Sequence, residues 1–306
     1  MFLDCHVIEN INKIIGVKNV KLNESMSNHT SIKTGGPADI LVMPESIQAI
    51  VDIISYLRKL EIPFFVMGKG TNLLVSDKGI RGVVIKTCSK LNGLSVNDDC
   101  LDIEAGVLLS KAANYALTKS LAGMEFASGI PGTIGGAVVM NAGAYGGEMK
   151  DIVNESLLMD SDGNLITLNC DDHEFGYRKS IIQGNEFIVL KTSLRLKHGD
   201  NRKISELMYD LNMRRKEKQP LDLPSAGSVF RRPEGHFVPP LIQECGLKGY
   251  SIGGACISEK HCGFIINRDS ATSSDIAALI EHIQKIIMRR YGVSLEPEIK
   301  MVGEWV

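Results

Sequence analysis

The run from 129 to 149, GIPGTIGGAVVMNAGAYGGEM, constrains this chain more than any other stretch. It places seven glycines (129, 132, 135, 136, 143, 146 and 147) around an apolar centre, Ala137 to Met140. Flexible linkers are rich in Gly and Ser but lack buried apolar runs, so a tether does not account for the pattern. Glycine permits positive φ and close backbone approach, which lets successive N–H groups converge on an anion. Pro131 can open a short helix whose N-terminal dipole adds to that attraction. The stretch is therefore expected to press against a phosphorylated cofactor.

A second glycine loop, GKGTN, spans Gly68 to Asn72. It is not a P-loop, because Pro63 stands where the leading glycine is needed and Gly70, not Ser or Thr, follows Lys69. It is not a dinucleotide fingerprint either, since Leu73 takes the place of the third glycine and a strand follows. Taken alone, this loop reads equally as a tight hairpin turn with no ligand.

Around these loops the periodicity predicts mixed helices and strands. Val7, Ile8, Ile11, Ile14 and Ile15 mark an N-terminal helix, and residues 33 to 67 read as a β-α-β unit whose helix is capped by Ser46. LLV and GVVIK follow as strands, residues 88 to 106 as paired strands, and Val107 to Ser120 as a helix. Strands return from 152 to 197, with FGYRKS as a loop between the last two. After the polar HGDNRK, Ile204, Leu207, Met208 and Leu211 mark an amphipathic helix and a plausible boundary. A short helix near LIQECG, strands at CIS and CGFIIN, a long helix from Ser274 to Tyr291 and a terminal strand, VSLEPEIKMVGEWV, complete the chain.

Composition excludes some partners. With 44% hydrophobic and 23% charged residues and a net charge of -2, nothing global points to nucleic acid or an anionic membrane surface. The local cluster Arg214, Arg215, Lys216 and Lys218 reads as a basic helix end or as a ligand contact. Seven scattered cysteines without a CxxC pair argue for free thiols in a reducing compartment, and the spacing of Cys256, His261 and Cys262 does not suit a common zinc module. The N-terminus has no secretory pattern and no apolar run is long enough to span a bilayer, so a cytoplasmic protein is expected.

The segments NHTSIKTGGPAD, GKGTNLLVSD, GIPGTIGGAVVMNAGAYG, FGYRKS, SAGSVFRRP and LEPEIKMVG, in this order, resemble the UDP-N-acetylenolpyruvoylglucosamine reductase (MurB) family across most of the chain. The resemblance implies an α+β architecture: a two-part FAD-binding fold of the vanillyl-alcohol oxidase type at 1–87 and 88–199, and a separate α+β substrate-binding domain at 200–306. FAD and NADPH would be the cofactors. Gly68, Lys69, Gly70, Thr71, Asn72 and Leu73 would lie along FAD, as would Gly129, Pro131, Gly132, Thr133, Gly135, Gly136, Ala137, Asn141 and Gly143.

In the implied reaction NADPH reduces FAD, and flavin N5 then delivers hydride to the enol ether's β-carbon. Charge develops at the α-carbon and spreads into the carboxylate, so the site needs a fixed cation and an acid. Arg178 matches the carboxylate-clamping arginine, a role suited to a permanently charged, bidentate group. Ser228 matches the proton donor and Glu298 the carboxyl group that assists; on strand alternation Glu296, Glu298 and Lys300 would share one face. Tyr177 and Lys218 match positions linked to substrate and nucleotide handling, and Arg232 and His261 fall at the diphosphate side. FGYRKS runs almost directly into FIVLKTSLRLK, so the chain resembles the shorter form of the family, which lacks the insertion whose tyrosine folds over the diphosphate. A UDP-sugar substrate, no nucleic-acid or membrane partner, and a monomer or weak oligomer are the corresponding expectations. The competing readings are an oxidase on the same flavin fold and a non-catalytic nucleotide-binding protein that keeps the glycine loops.

Overall fold

The computed structural model describes residues 4–88 and 90–305. Backbone packing divides the chain into two compact units made of interleaved segments. The first comprises Met1–Lys21, Ile40–Lys69 and Gly82–Arg215; the second comprises Leu22–Asp39, Gly70–Arg81 and Lys216–Val306.

The first unit has its own apolar core. The helix Ile47–Lys59 forms where Ser46 accepts a hydrogen bond from the Ala49 N–H at 3.1 Å, and Ile50, Ile53, Ile54 and Leu57 recur at helical spacing on its buried face. The strand Phe64–Met67 pairs in parallel with Ile80–Lys86, and that strand lies between Pro37–Val42 and Phe64–Met67 in the sheet order. The β-α-β crossover therefore skips one position. This removes the hairpin reading of GKGTN, since the strand after the loop, Leu73–Val75, pairs elsewhere.

A five-stranded antiparallel sheet runs in the order Leu165–Asn169, Val153–Met159, Ile188–Arg195, Cys100–Glu104 and Leu94–Asn97. The helix Leu109–Thr118 buries Leu109, Ala112, Ala113 and Ala116. The six-residue helix Ile134–Val139 lies close to this sheet because Gly135 is a glycine: a Cβ there would sit 2.9 Å from the Ala105 Cβ. The helix Asn201–Lys218 adds Ile204 and Met208 to the same core, whereas Leu207, expected on its apolar face, is 46% exposed.

The second unit packs the helix Ser273–Tyr291 against an antiparallel sheet ordered Ser225–Ser228, Phe264–Asn267, Ala255–Ile257 and Ser251–Ile252. Thr272 and Asp275 form a capping box at the start of that helix, and Gly292 ends it at a φ of 67°, in the left-handed region. Ile276, Leu279, Ile280, Ile283 and Ile287 supply its buried stripe.

The units do not follow chain order as the boundaries at 87/88 and 199/200 do. Leu73–Val75 pairs in parallel with Lys300–Val302, and the Ser273 hydroxyl meets Thr34 Oγ1 at 2.9 Å, so residues 22–39 and 70–81 group with the C-terminal segment. The terminal strand is also shorter than expected. Only Lys300–Val302 is a strand, and Phe230 and Pro297 make an isolated bridge, so the face shared by Glu296, Glu298 and Lys300 is not one strand face.

Candidate active site

In the first unit the glycine stretch and the FGYRKS loop are fastened together. Asn141, fully buried, donates to Glu148 Oε2 at 2.8 Å and to the Gly176 carbonyl at 3.0 Å, and accepts from the Lys150 N–H at 2.9 Å. Both of its side-chain donors are thereby used, so Asn141 ties the loop to the stretch. Ser180 and Gln183 donate to the Val139 carbonyl at 2.7 and 2.9 Å, at the end of the short helix. Within the loop, Gly176 and Lys179 exchange backbone hydrogen bonds around Tyr177 and Arg178.

Arg178 has a φ of 54°, uncommon for a bulky side chain. Its conformation is held from two sides: its guanidinium donates to the Gly143 carbonyl at 3.1 Å, and Gln183 donates to its own carbonyl at 3.0 Å. Tyr177, beside it, is half-exposed and lies 5.1 Å below the guanidinium. Behind the loop, His173 is buried and stacks on Phe175 at 4.7 Å. Its Nδ1 lies 2.7 Å from the Asn169 carbonyl, which only accepts, so Nδ1 carries the proton and Nε2 accepts from the Ser156 hydroxyl at 3.0 Å. Burial pushes its pKa down.

The short helix does not offer its N-terminal amides freely. The Ile134 and Gly135 N–H groups donate to the Val107 and Ala105 carbonyls at 2.9 Å each. Pro131 also stands three residues before the helix starts, not at its first position. Gly132 has a φ of 140°, Thr133 is buried, and Gly136, in the first turn of the helix, is exposed. The Thr133 hydroxyl is buried without a hydrogen-bond partner among the described residues. A Cβ at Gly68 would sit 2.2 Å from that hydroxyl, so glycine at 68 lets the two segments pack this closely.

Within the basic cluster the structure singles out one arginine as buried, a distinction the sequence left open. Arg215 is 7% exposed and, among the described residues, forms no ion pair or hydrogen bond; its Nε is buried without a partner. Its guanidinium lies 5.7 Å from the Tyr145 ring, and a Cβ at Gly129 would meet its Nε at 3.0 Å. Burial lowers its pKa, opposed by Tyr145. The signal was present: Ile204, Met208, Leu211 and Arg215 form one helical stripe, so a cation occupies an inward position. An inward cation and an inward hydroxyl, both without a partner among the described residues, fit anionic groups of a cofactor.

In the second unit Ser228 ends the strand Ser225–Ser228, opposite Phe264, next to a register shift. Its side chain is exposed, and its hydroxyl makes no hydrogen bond among the described residues. The Glu298 N–H donates to the Val229 carbonyl at 2.7 Å, which brings the Glu298 segment alongside Ser228. Asn72 holds that segment from the other side, donating from its amide to the Glu298 carbonyl at 3.1 Å and accepting from the Lys300 N–H at 3.0 Å. Leu73 begins the strand beside it, and the Gly70 carbonyl accepts from the Ser31 N–H at 3.0 Å. Thr71 is half-buried, whereas Lys69 is exposed. Arg232 stacks 3.8 Å over Phe237, Lys218 is exposed, and burial lowers the pKa of His261, whose Nδ1 accepts from the Gly263 N–H at 3.2 Å. Ala137 and Gly143 complete the predicted set, Ala137 buried in the first unit's core.

A family model described as the C-terminal domain of UDP-N-acetylenolpyruvoylglucosamine reductase matches residues 219–302, and one described as an FAD binding domain matches residues 38–169. The chain is 53% identical over 298 residues to the UDP-N-acetylenolpyruvoylglucosamine reductase of Caldanaerobacter subterraneus subsp. tengcongensis, covering 97% of this chain and 98% of that protein. The crystal structure of the reductase (MurB) from Thermus caldophilus aligns at a TM-score of 0.79 and 32% identity, over 92% of this chain and 97% of that one. Alkyldihydroxyacetonephosphate synthase aligns at a TM-score of 0.51 and 13% identity over 64% of this chain and 41% of that one, a likeness of fold alone. The architecture is thus the vanillyl-alcohol oxidase type of FAD-binding fold with a separate α+β domain.

Proposed function

Since the chain belongs to the UDP-N-acetylenolpyruvoylglucosamine reductase family and is an FAD-containing oxidoreductase, we propose that it uses NADPH, by way of FAD, to reduce the enolpyruvyl group of UDP-N-acetylglucosamine enolpyruvate to UDP-N-acetylmuramate. The product is a peptidoglycan precursor, made in the cytoplasm. Among the described residues no helix is long and apolar enough to cross a membrane.

Thr133 and Arg215, whose buried polar atoms lack partners among the described residues, would hold anionic groups of FAD. Bound FAD supplies the hydride that reaches the substrate's β-carbon. Arg178 grips the substrate carboxylate, and its charge stabilises the electron density that moves there from the α-carbon. Ser228 gives its hydroxyl proton to the α-carbon. A hydroxyl is a weak acid, so the transfer depends on the strong basicity of the developing carbanion and on the Glu298 carboxyl group, which orders the local proton network. Tyr177 and Lys218 line the sugar and nucleotide, and Arg232 and His261 hold the diphosphate.

The observation that carries this reading is the exposed Ser228 hydroxyl, unpartnered among the described residues, with the Glu298 segment bonded to its neighbour Val229. Stopped-flow measurement of the two half-reactions tests it. Ser228→Ala should leave flavin reduction by NADPH nearly intact and slow reoxidation by the enolpyruvyl substrate about 10²- to 10⁴-fold, the usual loss on removing a general acid. Equal slowing of both half-reactions would overturn the role of Ser228. Protein that stays colourless after FAD is added would overturn the flavoenzyme reading itself.

A further inference from the structure

We propose that Phe237 is a stacking platform for the pyrimidine base of the nucleotide-sugar substrate, and so a specificity-determining residue; this rests on the reductase reading above. Large apolar side chains on a surface are commonplace when scattered, and exposure alone assigns nothing. Phe237 differs in how it is held. It is 59% exposed, yet it immediately precedes Val238, which is 5% exposed and anchored in the second unit's core. The ring is therefore raised from a fixed backbone point, at the N-cap of the helix Val238–Glu244, where Pro239 and Pro240 restrict the chain.

One face of the ring already has a partner. The Arg232 guanidinium carbon lies 3.8 Å from the ring centroid, and the Arg232 Nε donates to the His236 carbonyl at 3.4 Å. The turn between them is closed by the His236 N–H donating to the Pro233 carbonyl at 3.2 Å, with Gly235 at a φ of 72°. This leaves the opposite ring face as the source of the exposure. A guanidinium behind an aromatic ring and an open π-face in front suit a flat, polar heterocycle joined to a diphosphate: the ring accepts the base by stacking while the arginine supplies positive charge.

The platform belongs to the same surface as the proposed proton donor. The Val229 N–H, next to Ser228, donates to the Gly263 carbonyl at 2.9 Å. A Cβ at Gly263 would meet the His261 ring at 3.0 Å and the Pro239 ring at 3.4 Å, so glycine there lets His261 and the Phe237 segment approach one backbone point. The end of the Ser228 strand, His261 and the Phe237 segment thus meet around Gly263, with Arg232 stacked on the Phe237 ring.

The test is steady-state kinetics on the FAD-loaded enzyme at saturating NADPH, with UDP alone as an equilibrium probe. Phe237→Ala should raise KM for the enolpyruvyl substrate and weaken UDP binding, each by about 5- to 100-fold, the range expected for one lost base–aromatic stack. The kcat and the rate of flavin reduction by NADPH should stay within about twofold, since the residue lies outside the reacting groups. Phe237→Tyr should restore KM, and Phe237→Leu, apolar but without a π-face, should not. A KM change below about twofold in Phe237→Ala overturns the proposal, as does full rescue by Phe237→Leu or a rise confined to the KM for NADPH. Flavin absorbance and far-ultraviolet circular dichroism matching wild type keep misfolding apart from these outcomes. Failure of the wild-type protein to reduce the substrate at all would instead overturn the reductase reading.

Discussion

Within and against the stretch from 129 to 149, the Thr133 hydroxyl and the Arg215 side chain have no hydrogen-bond partner among the described residues, whereas the polar groups of Gly70 to Asn72 are engaged within the fold. Among the described residues the buried Thr133 hydroxyl has no partner, and Arg215, packed against Gly129, is a buried cation with no carboxylate. In the other loop the Gly70 carbonyl takes the Ser31 N–H, and Asn72 bonds the Glu298 carbonyl and the Lys300 N–H. Buried polar groups are nearly always paired, so the unpaired set marks where an outside anion belongs. Both loops are rich in glycine and both match no standard phosphate fingerprint. The difference in hydrogen-bond satisfaction supports the proposal that the first loop binds the cofactor and the second positions Glu298.

The sharpest way to break this contrast is Gly68→Ala. The new Cβ falls 2.2 Å from the Thr133 hydroxyl and 3.3 Å from its Cβ, on a short branched side chain that has little room to move. FAD affinity is expected to fall about tenfold to a hundredfold, measured by fluorescence titration of apoprotein. Adding Thr133→Ala relieves the clash, and the double variant should regain thermal stability without regaining FAD affinity. Recovery of both would show that the hydroxyl carries no cofactor contact.

Much of this arrangement is legible from residues alone, and the failures have physical causes. Ser46 and the Ile/Leu stripe ending at Gly292 specify local structure through caps and periodicity, and the structure follows them. The parallel pairing of Leu73–Val75 with Lys300–Val302 joins segments more than two hundred residues apart, which no local pattern reports. EPEI alternates like a strand, but Pro297 cannot donate to a ladder and regular pairing starts only at Lys300. Asn141 lies within a glycine-rich run that points to a ligand, yet its amide is consumed by Glu148 and Gly176, partners that only the folded chain identifies. Among adjacent arginines, composition does not distinguish Arg214 from Arg215; the helical phase does.

A smaller effect separates the second loop from the first. Asn72→Ala removes the hydrogen bond to the Glu298 carbonyl, worth about 1 kcal/mol, while leaving the backbone bond to Lys300. The expected outcome is wild-type flavin content and wild-type reduction by NADPH, with reoxidation by the enolpyruvyl substrate slowed about fivefold to tenfold as Glu298 loses its fixed position. Loss of FAD with reoxidation of the remaining flavin unchanged would reverse the assignment and make Asn72 a cofactor contact.

The smallest expected effect concerns the support of the arginine loop. His173 lies two residues before Phe175, on which it stacks, and its neutral ring bridges Asn169 and Ser156. Burial lowers its folded pKa, while in the unfolded chain the ring titrates near its ordinary value of about 6.5. Below about that pH the unfolded state therefore binds more protons than the folded state, and stability falls as pH drops toward the lowered folded value. Above it the contribution is fully present. His261 has the same sign, so the wild-type decline alone does not isolate His173. The difference between wild type and His173→Gln does: at pH 7.5 the variant should unfold at a lower temperature, having lost the ring stack and the two-sided bridge. As pH falls below about 6.5 the gap should narrow, because only the wild type loses stability through this ring. Unfolding temperatures that run parallel from pH 7.5 to 5.5 would mean that position 173 contributes packing alone, and that the loop carrying Arg178 is fastened by Asn141, Ser180 and Gln183 without a titrating support.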